Sequence, residues 1–298
     1  MTNDLQQLNE QRSPIRIGVI GGSGLYQMEG LSDVKERNIT TPFGDPSDDV
    51  VIGTLEGVRV AFIARHGRGH RLMPTEVNYR ANIHGFRQLG ARYIISVSAV
   101  GSLKADIHPG DMVLPAQFID RTKGRAGTFF GGGAVAHVQF GDPVCPRMVD
   151  ALAGVLKENK VRFHADCTYV AMEGPVFSTR AESELYRSWG ADVIGMTSIP
   201  EAKLAREAEI CYATLALSTD YDCWHHTEEE VSVEAVIQLI ARNISVAKQT
   251  IAGLCKHFPP AGSCKCQQAL DGALLTPVEL IPDETKKRLE VLAGRFFG

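Results

Sequence analysis

Runs of four to eight apolar, β-branched positions recur along the chain and alternate with stretches whose apolar residues repeat every three or four positions. The first kind comprises IRIGVIGG (15–22), VRVAFIARHG (58–67), ARYIISVSAVG (91–101), CTYVAMEGP (167–175), ADVIGMT (191–197) and CYATLALSTD (211–220). Each ends in Gly, Ser, Thr or a charge, as strands buried on both faces do. The second kind predicts helices over 75–90, 145–160, 178–190, 199–209 and 233–256, several with Ser or Pro starts and Gly ends. Strand–helix alternation of this sort predicts an α/β fold, with a central mixed, twisted sheet flanked by helices.

Two segments interrupt the pattern. The glycine-rich stretch 123–143 is too long for a simple connection and is either disordered or functional. The stretch 258–277 precedes DETKKRLEVLAGRFFG, which is expected to form one more amphipathic helix. With no internal repeat or composition break, the 298 residues read as one domain; residues 1–14 form a flexible polar tail and 258–298 a C-terminal extension.

Composition adds exclusions. A chain with 44% hydrophobic and 22% charged residues buries a full core, and a net charge of −4 recruits neither nucleic acid nor an anionic membrane. No apolar run approaches the roughly 18 residues of a membrane span. The N-terminus lacks the apolar segment of a secretory signal, so a cytoplasmic location is expected. The seven cysteines are an odd number without CxxC spacing, which argues against a disulfide framework and a zinc site. Cys264 and Cys266 read as two free thiols in a mobile loop rather than a strained local disulfide.

Ligands of open α/β sheets sit outside the carboxyl ends of the strands, so the strand ends carry the candidate chemistry. The first strand runs into GGSG, where Ser23 and small neighbours suit either an anion site or a tight turn. The second delivers Arg65 and His66, a guanidinium fork beside an imidazole, which suits a phosphate. The third supplies Ser98, the Ala99 amide and Gly101; a further strand ends at Thr197. Their convergence points to a phosphate-sized anion. The last run ends by presenting Asp220 and Asp222, either a catalytic pair or an Asp-rich turn. No His/Cys/carboxylate cluster suggests a metal, and without GxGxxG a dinucleotide cofactor fits poorly.

The stretches IGVIGGSGLY, TPFGDPSD, ARHGRGHRLMPTEVNYRANI, SAVGSLKADIHPGDMVLPAQFIDRT, MEGPVFSTRAES, GADVIGMTSIPEAKLAREAEICYA and STDYDCW together resemble the methylthioadenosine-cleaving phosphorylases of the purine nucleoside phosphorylase superfamily, over about residues 15–255. Val176 departs from the arginine that many relatives carry. The resemblance implies phosphorolysis of 5′-methylthioadenosine, a step of purine and methionine salvage, with inorganic phosphate as co-substrate and no cofactor. It implies Ser23, Arg65, His66, Ser98, Ala99 and Thr197 as phosphate ligands. Phe177, Ser178 and Met196 would hold base and ribose, with Asp220 protonating N7 and Asp222 beside it, one of the two carrying a proton near neutral pH. Val233 and Val236, with Ile237 at i, i+3 and i+4, would wall the 5′ pocket. A homotrimer is implied, with His137 reaching a neighbour's pocket. Alternatives within the fold are 6-oxopurine nucleosides, methylthioinosine, or hydrolysis by water.

Overall fold

The computed structural model describes residues 15–225, 233–257 and 264–298; residues 23, 233–237 and 240 are described by their backbone alone. The tail 1–14 lies outside the described residues. Nine strands form one sheet: β1 Ile17–Gly21, β2 Ser32–Arg37, β3 Val50–Leu55, β4 Val58–Ala64, β5 Tyr93–Ser102, β6 Met112–Arg121, β7 Phe163–Met172, β8 Val193–Gly195 and β9 Cys211–Asp220. The principal helices are α1 Tyr79–Gln88, α2 Pro146–Glu158, α3 Arg180–Ser188, α4 Ser198–Glu207, α5 Val233–Lys256 and α6 Asp283–Ala293.

The strand order is β2-β3-β4-β1-β5-β8-β7-β6-β9, and β9 also pairs with β5. Strands β5, β8, β7, β6 and β9 therefore close into a ring, and the remaining four extend it as an open sheet. Neighbouring residues on one strand face opposite sides, and the core divides accordingly. Ile20, Ile94 and Ala216 pack with Ile83 and Phe86 of α1 and Leu204 and Ala205 of α4. Val19, Ile95 and Leu215 pack with Met148 and Leu152 of α2 and Ile251 and Leu254 of α5. The expected sheet between helical layers is the observed architecture.

Three strands lie outside the predicted set. β2 is exposed at every position and reads SDVKER, so nothing marks it as a strand except its partner β3. β3 is short and follows directly on the polar 45–49 stretch. β6 contains Pro115, which lacks a ladder donor, and its register against β7 shifts at that residue. β7 begins at Phe163, four residues before the predicted start, because its first half is polar and partly exposed. The run 191–197 is a strand only over Val193–Gly195. α1 starts at Tyr79 because the Asn78 side chain accepts from the Ala81 amide at 3.1 Å and caps it.

The glycine-rich stretch is ordered by the C-terminal segment. Phe129 and Phe130 are buried, the His137 amide donates to the Ala273 carbonyl at 2.9 Å, and the Leu275 amide donates to the Val135 carbonyl at 2.9 Å. The predicted terminal helix is α6, whose Leu289, Leu292 and Ala293 are buried, while Thr285 donates to the Gly132 carbonyl at 2.6 Å. The expectation of thiols in a mobile loop is corrected: Cys264 and Cys266 are both buried. Among the described residues no helix is long and apolar enough to cross a membrane.

Candidate active site

Strands β4, β1, β5 and β9 run parallel and in step, with Ala64 beside Gly21, Ile20 beside Ser96, and Ser98 beside Ala216. Their carboxyl ends therefore share one edge. Ser23 follows β1, Arg65 and His66 follow β4, Ser98 and Ala99 lie near the end of β5, and Asp220 ends β9. β8 is antiparallel to β5, with Gly101 opposite Ile194, so the chain leaving it through Met196 and Thr197 travels back along β5 toward Ser98. Five separate segments are brought to one place by strand direction alone.

Arg65 lies beneath this edge, 3% exposed. Its Nε donates to Glu201 Oε1 at 2.5 Å and its Nη2 to Glu201 Oε2 at 3.2 Å and Ser96 Oγ at 2.7 Å; Nη1 donates to the Val97 carbonyl at 2.9 Å. Glu201 Oε2 also accepts from Ser96 at 2.7 Å and from Tyr212 at 3.2 Å. Burial disfavours the guanidinium charge, but the Glu201 carboxylate outweighs it and holds the arginine pKa above its ordinary value. The sequence suggests an arginine fork open to an anion. Instead the fork closes on Glu201, and of five N–H groups one Nη1 proton is left.

Two buried hydroxyls beside Arg65 are left without a protein partner. Ser98 and Thr197 are buried, and neither side-chain oxygen has a hydrogen-bond partner. Buried polar groups ordinarily find one, and each exception calls for a reason. Thr197 is the N-cap of α4, yet its side chain caps nothing; Pro200, at the third helical position, has no N–H to offer it. His66 is half-buried, with Nδ1 at 2.9 Å from the Leu72 carbonyl and its ring stacked on His70 at 4.4 Å. Burial pushes its pKa down. Nδ1 must therefore carry the proton given to the carbonyl, which leaves Nε2 of the neutral ring as an acceptor.

The two aspartates differ in setting. Asp220 Oδ1 accepts from the Asp222 amide at 2.9 Å and Oδ2 from Thr219 at 2.7 Å. Asp222 lies beyond the strand, at φ 50 at the head of a short 3₁₀ turn, where Oδ2 accepts from Ser183 of α3 at 2.6 Å. Gly101 makes room for both, since a Cβ there would stand 3.0 Å from Asp220 Oδ1. Trp224 fastens the turn by donating to the Ser102 carbonyl at 2.8 Å. Tyr221, between the aspartates, turns aside to His108 at 2.5 Å.

The loop after β7 forms the opposite wall. Gly174 takes φ +70 and approaches Met196 so closely that a Cβ would lie 2.5 Å from Sδ. Met196 and Ser178 are half-buried, the latter linked through its carbonyl to Cys223 at 3.4 Å, while Phe177 is 78% exposed. Arg125 braces this wall from within: it donates to the carbonyls of Met196, of Ile199 at 2.9 Å and of Glu173 at 2.6 Å. His137 is exposed on the glycine-rich segment. The side chains of Ser23, Val233 and Val236 lie outside the described residues. Sequence reasoning missed Glu201, Ser183 and Arg125. A charge following a buried strand, as Arg65 does, signals that a counter-charge must exist but not where.

Residues 16–256 match the family described as the phosphorylase superfamily. The chain belongs to that superfamily. The match spans more than half of the sequence and takes in every segment of the edge just described. Among curated relatives, the S-methyl-5′-thioadenosine phosphorylases of Geobacter sulfurreducens and Koribacter versatilis are 57% and 56% identical to it, covering 94% and 95% of this chain and 98% and 97% of their own lengths. A solved methylthioadenosine phosphorylase from an Antarctic soil metagenomic library superposes with a TM-score of 0.90 at 52% identity, over 94% of this chain and 99% of the other. The Schistosoma mansoni methylthioadenosine phosphorylase, solved in complex with adenine, gives 0.80 at 34% identity, over 87% and 96%.

Proposed function

We propose that the protein catalyses the phosphorolysis of 5′-methylthioadenosine to adenine and 5-methylthioribose 1-phosphate. The observation that carries this reading is the pair of buried hydroxyls, Ser98 and Thr197, with no protein partner at the sheet edge that also holds Asp220 and Asp222. Hydroxyls and amides bind an oxyanion without a net positive charge, and here the charge of Arg65 is already balanced by Glu201. Phosphate takes hydrogen bonds from Ser98, the Ala99 amide, Thr197, Ser23 and the last Nη1 proton of Arg65. A protonated phosphate oxygen donates to His66 Nε2.

So held, a phosphate oxygen attacks C1′ of the ribose. The new C1′–O bond forms as C1′–N9 breaks, and the N9 electron pair passes into the purine. Asp220 supplies a proton to N7, so adenine leaves neutral. Asp222, oriented by Ser183, accepts from the 6-amino group. Both carboxylates are acceptors toward that group, which favours a 6-aminopurine over a 6-oxopurine. The protein's contribution is position and electrostatics. Phe177 and Met196 pack on base and ribose, with Ser178 alongside. Phe177 is too exposed in one chain to enclose a base, which supports a homotrimer in which a second subunit, through His137, covers the pocket. We place the enzyme in the cytoplasm.

The experiment is an incubation of purified protein with methylthioadenosine, adenosine, methylthioinosine and inosine, with and without phosphate. The expected result is phosphate-dependent release of adenine and methylthioribose 1-phosphate. Equal release in phosphate-free buffer means that water is the nucleophile and removes the reading. Equal efficiency on methylthioinosine removes the role given to the aspartates.

A further inference from the structure

Four cysteines from distant parts of the chain meet in the core. The sulfurs of Cys145, Cys211, Cys264 and Cys266 all lie within 4.8 Å of one another, and all four residues are buried. Each is held by its own element. Cys145 is the N-cap of α2, and its amide donates to the Tyr212 carbonyl at 2.8 Å. Cys211 opens β9, with its amide on the Arg92 carbonyl at 3.0 Å. Cys264 and Cys266 flank Lys265 at a 3₁₀ turn, where the Gln267 amide donates to the Cys264 carbonyl at 2.8 Å.

The geometry points to a structural zinc site made by these four thiolates. A tetrahedron with metal–sulfur bonds of about 2.3 Å has sulfur–sulfur edges of about 3.8 Å. The Cys145–Cys264 sulfur separation is 3.7 Å, and the limit of 4.8 Å holds for every pair. A disulfide would require about 2.05 Å and would join only two of the four. A four-iron cluster needs its ligands spread farther than a single ion does. Four soft sulfur donors converging on one point select Zn²⁺ over the hard cations, with a mononuclear iron centre as the competing occupant. The four protein ligands complete the shell and the site is closed to solvent, so its role is structural. Cys145 also stands at the positive end of α2, which favours thiolate.

The site has a definite mechanical task. β9 runs ten residues from Cys211 to Asp220, so at roughly 3.3 Å per residue the sulfurs lie about 30 Å from the catalytic edge. What the ion fastens is the segment after 264, which in turn orders the glycine-rich stretch through the His137–Ala273 and Val135–Leu275 bonds. A pair spaced C-x-C, one residue at a helix start and one at a strand start have no recognisable linear spacing, which is why the sequence argues against zinc.

The test uses the full chain, produced with zinc in the medium and purified under reducing conditions. Elemental analysis is expected to find one zinc per chain, and exchange with Co²⁺ to give the intense visible bands of tetrahedral thiolate coordination. Cys264→Ser with Cys266→Ser should lower bound zinc by more than about tenfold and reduce Tm. The cobalt spectrum of the wild-type chain keeps the test valid if that variant does not fold. Zinc at background level with no cobalt bands overturns the inference, as does an intact mass lighter by two hydrogens per cysteine pair. Iron in the same place overturns the choice of zinc.

Discussion

The two walls of the active-site edge are built in opposite ways. Beneath the phosphate side, Arg65, Glu201, Ser96 and Tyr212 form a buried, hydrogen-bonded set that leaves one Nη1 proton of Arg65 over, beside the unpartnered hydroxyls of Ser98 and Thr197. On the base side, Val176 and Phe177 are 80% and 78% exposed, and the loop carrying them is held from one side by Arg125. On the function proposed above, the phosphate side is built within one chain, whereas the base side takes a cover from a second. Changes beneath the phosphate should therefore register in stability, and changes at the base wall should register in turnover.

The largest effect is expected at Glu201. Glu201→Ala leaves the guanidinium of Arg65 buried without a counter-charge, a loss of about 3–5 kcal/mol. Denaturant unfolding measures it, and a loss under 1 kcal/mol would show that the phosphate side is less rigid than its bonding implies. A second expectation sets the baseline outside both walls. His84 is fully buried with neither ring nitrogen bonded, and burial pushes its pKa down from 6.5 to about 4. The unfolded chain then binds the proton more readily. Stability is complete above about pH 6.5 and is lost as pH falls toward 4, by about 3 kcal/mol from this residue. Unfolding free energies at pH 7 and 4 check it, with His84→Phe expected to flatten the profile. His66, also shifted down by burial, acts in the same direction.

Turnover should report the base wall. Asp220→Asn removes an acid but keeps the shape, so kcat on methylthioadenosine should fall about a hundredfold or more, with phosphate KM nearly unchanged. The preference over methylthioinosine should shrink, because the amide offers a donor to O6. If phosphate KM rises as much as kcat falls, the two walls are not separable.

Much of this arrangement is legible in the sequence, for a physical reason. Parallel strands buried on both faces are unbroken apolar runs, and the residue after each run must surface at the shared edge. That places His66, Ser98, Thr197 and Asp220 without any knowledge of packing. What pairs across the fold leaves no such trace. Glu201 in SIPEAKLARE looks like one more helical surface carboxylate, yet it is buried against Arg65. Arg125 hides in a stretch whose glycines read as either disorder or a functional loop, with nothing to single out this residue, yet its side chain braces the base wall. β2 is legible only from its partner, since all six of its residues are exposed.

The smallest expected effect distinguishes the walls most sharply because it changes sign with ligand. Thr197 Oγ1 is buried and unpartnered, and its hydroxyl does not cap α4. Without phosphate it therefore carries a desolvation cost of about 1–3 kcal/mol with nothing in return. Thr197→Val has nearly the same shape and lacks that group. In phosphate-free buffer the variant should be as stable as the parent or more so, by about 1 kcal/mol. With phosphate present the order reverses: the parent gains a bond that the valine cannot make, and phosphate KM in the variant should rise about tenfold. Thermal unfolding with and without phosphate, set beside steady-state kinetics, measures both halves. Were the valine variant to lose stability equally in both buffers, the hydroxyl would be holding the protein together, and the phosphate side would have to be sought around other groups of the same edge.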